Sequence, residues 1–143
     1  MIHRKSLSAI PLLLLAHLCG AEEDTDIPGP AICASQEPLE CKPLEGCTRV
    51  SVEDIDGPLF ISLKPGDSTI LVTLTNGRHE TTTAKHRTKV DGKFIFQGAE
   101  EANPEHEDGI GWTLVIAEDT GRMTITASGE DTAFVIFGAC TLL

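Results

Sequence analysis

Cysteines are the residues of this sequence with the clearest chemical potential. Cys33, Cys41 and Cys47 lie close together in the first third of the chain, and Cys140 lies near its C-terminus. Zinc sites favour closely spaced cysteine pairs with nearby histidines, whereas seven and five residues separate the first three cysteines. We therefore expect two structural disulfides and no metal. Sequence alone does not select their pairing. We favour Cys41–Cys47, which closes a short loop, and Cys33–Cys140, which joins the first strand to the last.

Histidine-based catalysis finds little support. Outside the N-terminal segment the histidines are His79, His86 and His106. A catalytic histidine needs an activated Ser or Cys and an orienting acid, but the sequence has no Gly-x-Ser-x-Gly elbow and its cysteines are assigned to disulfides. We expect His79 and His86 to be exposed strand residues. We assign no catalytic residue and no cofactor, and we expect a non-catalytic role.

An acidic stretch is the most suggestive candidate for a metal site. Residues 100–109 contain five carboxylates and His106. Calcium takes oxygen ligands from flexible loops, but this stretch lacks the alternating Asp/Asn pattern of a calcium loop, and Pro104 restrains it. We interpret it as a solvated loop and assign no metal to it.

The charge balance argues against nucleic acid as a partner. The chain has 11 Lys and Arg against 22 Asp and Glu, a formal net charge of −11. Binding to a phosphate backbone requires clustered basic residues. The nearest approach to a cluster is Lys85, Arg87 and Lys89, whose spacing places them on one face of a strand. We expect that face to be solvated.

The first residues have the pattern of an export signal. A basic start precedes an apolar run of ten residues, 9–18, which is too short to cross a bilayer because a spanning helix needs about 20 residues. Small residues and then an acidic start follow this run, which indicates a signal peptide over residues 1–21. Its removal leaves four cysteines and a charge of 9 − 22 = −13. We expect a periplasmic or secreted protein without a membrane span.

One alternative for this segment is a lipoprotein anchored at Cys19. Such a site needs a small residue before the cysteine, and Leu18 does not meet that requirement. We therefore favour cleavage of a simple signal peptide, and the intact mass of the mature chain distinguishes the two.

The body of the chain has the pattern of a β-meander. Turn signals recur at short intervals, and Asn76–Gly77 and Asp91–Gly92 suit type I′ hairpin turns. Between the turns lie runs rich in Val, Ile, Thr and Phe with alternating polarity. The predicted strands are Leu59–Lys64, Thr69–Thr75, Arg78–Thr88, Lys93–Ala99, Ile110–Glu118, Arg122–Ser128 and Thr132–Cys140.

These strands predict an all-β protein. We expect an antiparallel up-and-down meander of about eight strands that forms a closed or half-open barrel, with a β-sandwich as the alternative. Residues 22–31 are interpreted as an acidic disordered leader, and residues 32–143 as a single β domain. Alternation places Trp112 and Leu114 on the apolar inner face.

The interior of such a barrel is either filled by side chains or holds one small molecule. We expect a filled interior, with a cavity as the alternative. The large interior residues expected are Phe60, Phe94, Phe96, Trp112, Phe134 and Phe137.

The closing part of the chain carries a resemblance. The Trp-strand from Gly111, the turn at Thr120–Gly121 and the ending Phe137-Gly138-Ala139-Cys140-Thr141 resemble a family of small exported bacterial proteins that also have early cysteines. The resemblance covers about residues 31–141 and departs in the acidic loop at 100–109. It implies export, and it implies no activity, substrate or catalytic residue.

Three function classes follow from the sequence. The first is an exported, disulfide-linked β domain with a non-catalytic role and an unknown partner. The second is a carrier of a small apolar ligand inside the barrel. The third is an enzyme of unknown class, for which the residues give no positive support.

Overall fold

The computed structural model describes residues 26–101 and 109–143. The predicted signal peptide, Cys19 and His106 lie outside these residues. The described residues form ten strands and no α-helix. They therefore include no helix that could cross a membrane. The strands are β1 (Ala31–Lys42), β2 (Gly46–Arg49), β3 (Pro58–Leu63), β4 (Thr69–Leu74), β5 (His79–Thr83), β6 (His86–Val90), β7 (Lys93–Glu100), β8 (Ile110–Ala117), β9 (Arg122–Ser128) and β10 (Ala133–Leu142).

The strands form one antiparallel sheet that curls into a half-open barrel, as predicted. Its hydrogen-bonded order is β5-β4-β3-β1-β10-β9-β8-β7-β6, with β2 added to β1. Consecutive strands therefore pair within β3 to β5 and within β6 to β10, and β1 pairs with both β2 and β3. The first and last strands pair along nearly their whole length. The opening lies between β5 and β6, which are consecutive in the chain but stand at the two ends of this order.

The opening explains the one predicted strand that the structure divides. Residues 78–88 have continuous strand character in the sequence, but β5 ends before Ala84 and β6 starts after Lys85. The Ala84 N–H donates to the Ser68 carbonyl at 2.8 Å, and the Lys85 N–H donates to the Gln97 carbonyl at 2.7 Å. The backbone thus changes its hydrogen-bonding partner from one side of the opening to the other between two adjacent residues.

Both disulfides join directly opposed residues of neighbouring strands. Cys33 of β1 pairs with Cys140 of β10 and is bonded to it. Cys41 pairs with Cys47 in the β1–β2 hairpin and is bonded to it. The structure therefore contains the pairing that the sequence analysis favours. Two disulfides indicate an oxidising environment.

Residues 26–31, the described part of the segment interpreted as a leader, pack against the barrel. Ile27 is buried in the core, and the Asp26 carboxylate accepts a hydrogen bond from the Gly66 N–H. The Pro30 carbonyl accepts one from the Leu143 N–H at 2.8 Å. The boundary at residue 32 is therefore too late, because the folded domain already includes these residues.

The core lies inside the half-barrel and follows the predicted alternation. Leu114 and Ile116 on β8, with Met123 and Ile125 on β9, are buried, while Thr113 and Thr124 of the opposite face are partly exposed. The other fully packed positions include Cys33, Ile61, Leu63, Ile70, Phe94, Phe96 and Ile136. Apolar burial of this kind is the main favourable contribution to folding.

Candidate functional site

The histidines are not part of a site in the described residues. His79 is exposed on β5, and its Nδ1 lies 3.0 Å from Oγ1 of Thr73. His86 is exposed at the start of β6. The residues buried in the described part of the chain include no polar or charged side chain, so no histidine lies beside a buried acid there.

The basic strand is not the solvated face that the sequence predicts. Lys85 is exposed, but Arg87 and Lys89 lie opposite the buried Phe96 and Phe94 in the β6–β7 register and are only half-exposed. Their charges are balanced by nearby acids, which are described next.

Each of these two inward-facing bases has an acidic partner. Arg87 Nη1 lies 3.5 Å from Oδ1 of Asp26. Lys89 Nζ lies 2.8 Å from Oε1 of Glu118 and 4.9 Å from the ring centroid of Phe94. Because both charges are already paired within the protein, these contacts organise the edge of the sheet and offer no free anion site.

A cavity of about 360 Å³ occupies the interior of the half-barrel. This volume is near the lower end of the range for small-molecule sites, about 300 to 1,000 Å³. Its walls are apolar and come from β3, β4, β8, β9 and β10. The wall residues are Ile61, Ile70, Val72, Leu74, Ile110, Trp112, Leu114, Ile125, Ala127, Phe134 and Ile136.

The cavity exists partly because two phenylalanine side chains point outward. The sequence analysis assigned six aromatic residues to the interior. Phe60 and Phe137 instead lie on the outer face, with 42% and 43% of their surface exposed. The interior therefore contains fewer large side chains than predicted, and the expectation of a filled barrel is wrong.

The edge of the cavity is acidic. Asp56 precedes β3, Glu80 lies on β5, and Glu100 and Glu101 lie at the end of β7; all four line the cavity and are exposed. No Lys, Arg or His lines it within the described residues. We refer to these four carboxylates as the acidic rim.

Two rim carboxylates have partners within the protein. The Thr82 hydroxyl on β5 donates a hydrogen bond to Oε1 of Glu100 on β7. Glu80 also forms an ion pair at 2.9 Å with Arg78, in the loop before β5. The first contact spans the opening of the barrel and fixes Glu100 beside the cavity. The second contact balances the charge of Glu80. Asp56, Glu100 and Glu101 have no basic side chain among the lining residues.

Trp112 gives the wall a buried polar atom. Its indole Nε1 is buried and has no hydrogen-bond partner among the described residues. Buried donors of this kind are uncommon, because leaving one unpaired costs about 1–3 kcal/mol. Trp112 is also the only tryptophan, and the chain has no tyrosine, so the intrinsic fluorescence comes from the cavity wall.

One carboxyl outside the cavity has a perturbed pKa. The Thr69 backbone N–H donates to Oδ1 of Asp67 at 2.8 Å, and this hydrogen bond is the main reason that the pKa of Asp67 lies below its ordinary value. The charges of Lys64 and Arg87 act in the same direction. Asp67 is in the turn between β3 and β4, so it serves the turn and not the cavity.

The predicted metal candidate is only partly visible. Residues 102–108 of the acidic stretch lie outside the described residues. Among the residues that are described, no group of three or more His, Cys, Asp or Glu side chains is placed to hold a metal ion. Glu100 and Glu101, which the sequence analysis placed in a solvated loop, belong to the acidic rim instead.

Comparison with known proteins gives no further assignment. No family model matches the chain, and no curated protein or solved structure matches it. Strand alternation predicted Trp112 on the inner face, where it lies, but no pattern in the sequence indicated that Asp56 and Glu80 would lie at the same cavity as the end of β7.

Proposed function

We propose that this protein is an exported, non-catalytic carrier that holds a small apolar ligand inside its half-barrel. The observation that supports this proposal is the cavity of about 360 Å³ with apolar walls. Small-molecule sites are typically concave, mostly apolar and provided with a few polar groups. The buried Nε1 of Trp112 is one such group.

The non-catalytic part of the proposal rests on the nature of the lining residues. Acid and base catalysis depends on groups whose pKa is shifted by burial or by neighbouring charge. The carboxylates that line the cavity are all exposed, and the described residues bring no histidine to it.

Export is the second part of the proposal. It is supported by the basic and apolar start of the sequence, by the two disulfides and by the resemblance to small exported bacterial proteins. The intact mass of the mature protein tests it. We expect a chain that starts near Glu22 without free thiols. A diacylglycerol on Cys19 would instead establish the lipoprotein alternative, and an uncleaved N-terminus would contradict export.

Titration with 1-decanol, followed by Trp112 fluorescence, tests the carrier proposal. We expect a saturable change in emission and a bound mass of one decanol per protein in native mass spectrometry. Ala127, the cross-strand partner of Trp112, lines the cavity, so Ala127→Phe should fill part of it and weaken binding by at least about ten-fold, as expected for several lost methylene contacts.

The neighbouring residue provides the matched control. Thr126 precedes Ala127 on the same strand but is exposed on the opposite face. Thr126→Phe adds a ring of the same size outside the cavity and should leave decanol binding unchanged. Absence of saturable binding to the wild type would contradict the carrier proposal, as would equal weakening by both variants.

A further inference from the structure

The charge of the acidic rim carries information about the ligand beyond its apolar character. The rim carboxylates come from three separate segments: the loop before β3, the strand β5 and the end of β7. The fold brings them to one side of the apolar cavity, and no basic side chain lines that cavity within the described residues. A ligand in the cavity therefore meets an apolar wall and negative charge together.

The charge of the rim should give different affinities to anionic, neutral and cationic ligands that have the same apolar part. An anionic group would face like charges at the rim and would bind less well than a neutral group. A cationic group would face opposite charges, and it would remain partly hydrated because the rim is exposed. The acidic protein as a whole also attracts cations, which favours their encounter with the site.

We infer that the ligand of this cavity is a cationic amphiphile: an apolar chain or ring system that carries a protonated amine. This inference rests on the proposed carrier function. The apolar part lies against the wall residues. The ammonium group lies at the rim beside Glu100 and Glu101, because Glu80 is already paired with Arg78. An ammonium group has donors and no acceptor, so it pairs directly with carboxylate oxygens.

The volume limits the size of this ligand. The cavity of about 360 Å³ has room for roughly a dozen groups of the size of a water molecule, each of which takes about 30 Å³. A ten-carbon chain with one head group is a suitable probe. Decylammonium, 1-decanol and decanoate form a series in which the tail is constant and the charge changes from positive to negative.

The test measures the affinity of each probe by Trp112 fluorescence at low ionic strength and below micelle formation. We expect decylammonium to bind about ten-fold more tightly than 1-decanol, because exposed ion pairs each contribute modestly. We expect decanoate to bind more weakly than 1-decanol. The advantage of decylammonium should decrease as salt is added, since exposed charges are screened.

A charge-neutral rim provides the decisive variant. The double variant Glu100→Gln, Glu101→Gln keeps side-chain size and hydrogen-bonding capacity, including an acceptor for Thr82. We expect it to reduce the preference for decylammonium over decanol to about three-fold or less. The control variant Glu45→Gln, Glu53→Gln removes the same net charge from exposed positions that do not line the cavity, and it should keep the preference.

The outcomes separate this inference from the carrier proposal. If decanol binds but decanoate binds as well as decylammonium, the cavity is a carrier site and the cationic ligand is wrong. The inference also fails if the rim and control variants lose the preference equally, because attraction by overall charge then explains it. If no probe of the series binds, both proposals are wrong.

Discussion

Trp112 lies directly against the backbone of Gly98, its opposite residue in the β7–β8 pair. A Cβ atom added to Gly98 would lie 2.3 Å from Cζ2 of Trp112 and 2.7 Å from the Thr83 carbonyl oxygen. Real Cβ atoms do not approach other atoms so closely. The absence of a side chain at Gly98 therefore allows the indole, β7 and the end of β5 to pack together beside the opening of the barrel.

Gly98→Ala should displace the indole and disturb the cavity wall. We expect a loss of about 1–3 kcal/mol in the free energy of unfolding, the usual cost of overpacking, together with a shift of Trp112 emission. Gly111→Ala is the control, because Gly111 lies on the adjacent strand and a Cβ there has no atom within 4 Å. Urea unfolding followed by fluorescence compares the two, and equal stabilities would contradict the packing described here.

The two disulfides should differ in their contribution to stability. On the chain-entropy model, the 107-residue separation of Cys33 and Cys140 corresponds to about 4.8 kcal/mol, and the six-residue separation of Cys41 and Cys47 to about 2.4 kcal/mol. Cys33→Ala with Cys140→Ala should therefore destabilise the protein more than Cys41→Ala with Cys47→Ala. Denaturant unfolding of both double variants measures this, and the reverse order would contradict it.

The same disulfides should also differ in their rate of reduction. Cys33 is 0% exposed, whereas Cys47 lies on the fully exposed strand β2. A thiol reductant must reach a sulfur atom to attack it, so Cys41–Cys47 should be reduced first in the folded protein. Limited reduction, alkylation and peptide mapping give the order. Prior alkylation of Cys33 and Cys140 would show that the barrel opens before the hairpin loop reacts.

Local signals in the sequence were sufficient for most strands and for one tight turn. Asp91 and Gly92 both have positive φ, at 47° and 69°, as the predicted type I′ turn requires. Asn76–Gly77 differs, because Gly77 has a φ of 80° while Asn76 is not in the positive region. The dipeptide marked the position of that turn correctly but not its type.

The remaining features depend on contacts between distant parts of the chain. The break at Ala84 and Lys85 arises because two carbonyls on opposite sides of the opening, those of Ser68 and Gln97, accept consecutive N–H groups. No glycine or proline marks that position. Phe60 and Phe137 were expected inside, but β3 and β10 have apolar residues on both faces. Alternation therefore did not reveal that both rings point outward, and the cavity was not predictable.

The pH dependence of the β3–β4 turn follows from Asp67. Because its hydrogen bond to the Thr69 N–H lowers the pKa of Asp67 in the folded protein, the carboxylate contributes stability above its ordinary pKa of 3.8. That contribution is lost as the pH falls through the lowered folded value. Asp67→Asn should remove this part of the acid dependence.

The carboxyl carbon of Asp67 gives the direct measurement. Its NMR titration should have a midpoint below 3.8 in the folded protein, and Thr69→Val should raise that midpoint only partly because the backbone donor remains. Thermal unfolding of wild type and Asp67→Asn between neutral and acidic pH provides the second readout. A midpoint at or above the ordinary value would show that the turn does not hold the carboxylate as described.

The inward-pointing charges of β6 should prevent its free edge from associating with the sheet edge of another molecule. β6 is at one end of the hydrogen-bonded order, and exposed sheet edges associate unless inward-pointing charges or similar devices prevent it. Arg87 and Lys89 are such charges, held by Asp26 and Glu118. We expect Arg87→Thr with Lys89→Thr to form dimers or aggregates that increase with concentration in size-exclusion chromatography.

The variant Lys85→Thr with Lys93→Thr removes the same charge from exposed positions outside β6 and should remain in the wild-type state. Association of both variants to the same degree would indicate that net charge, and not the position of these two side chains on the edge strand, keeps the molecules apart.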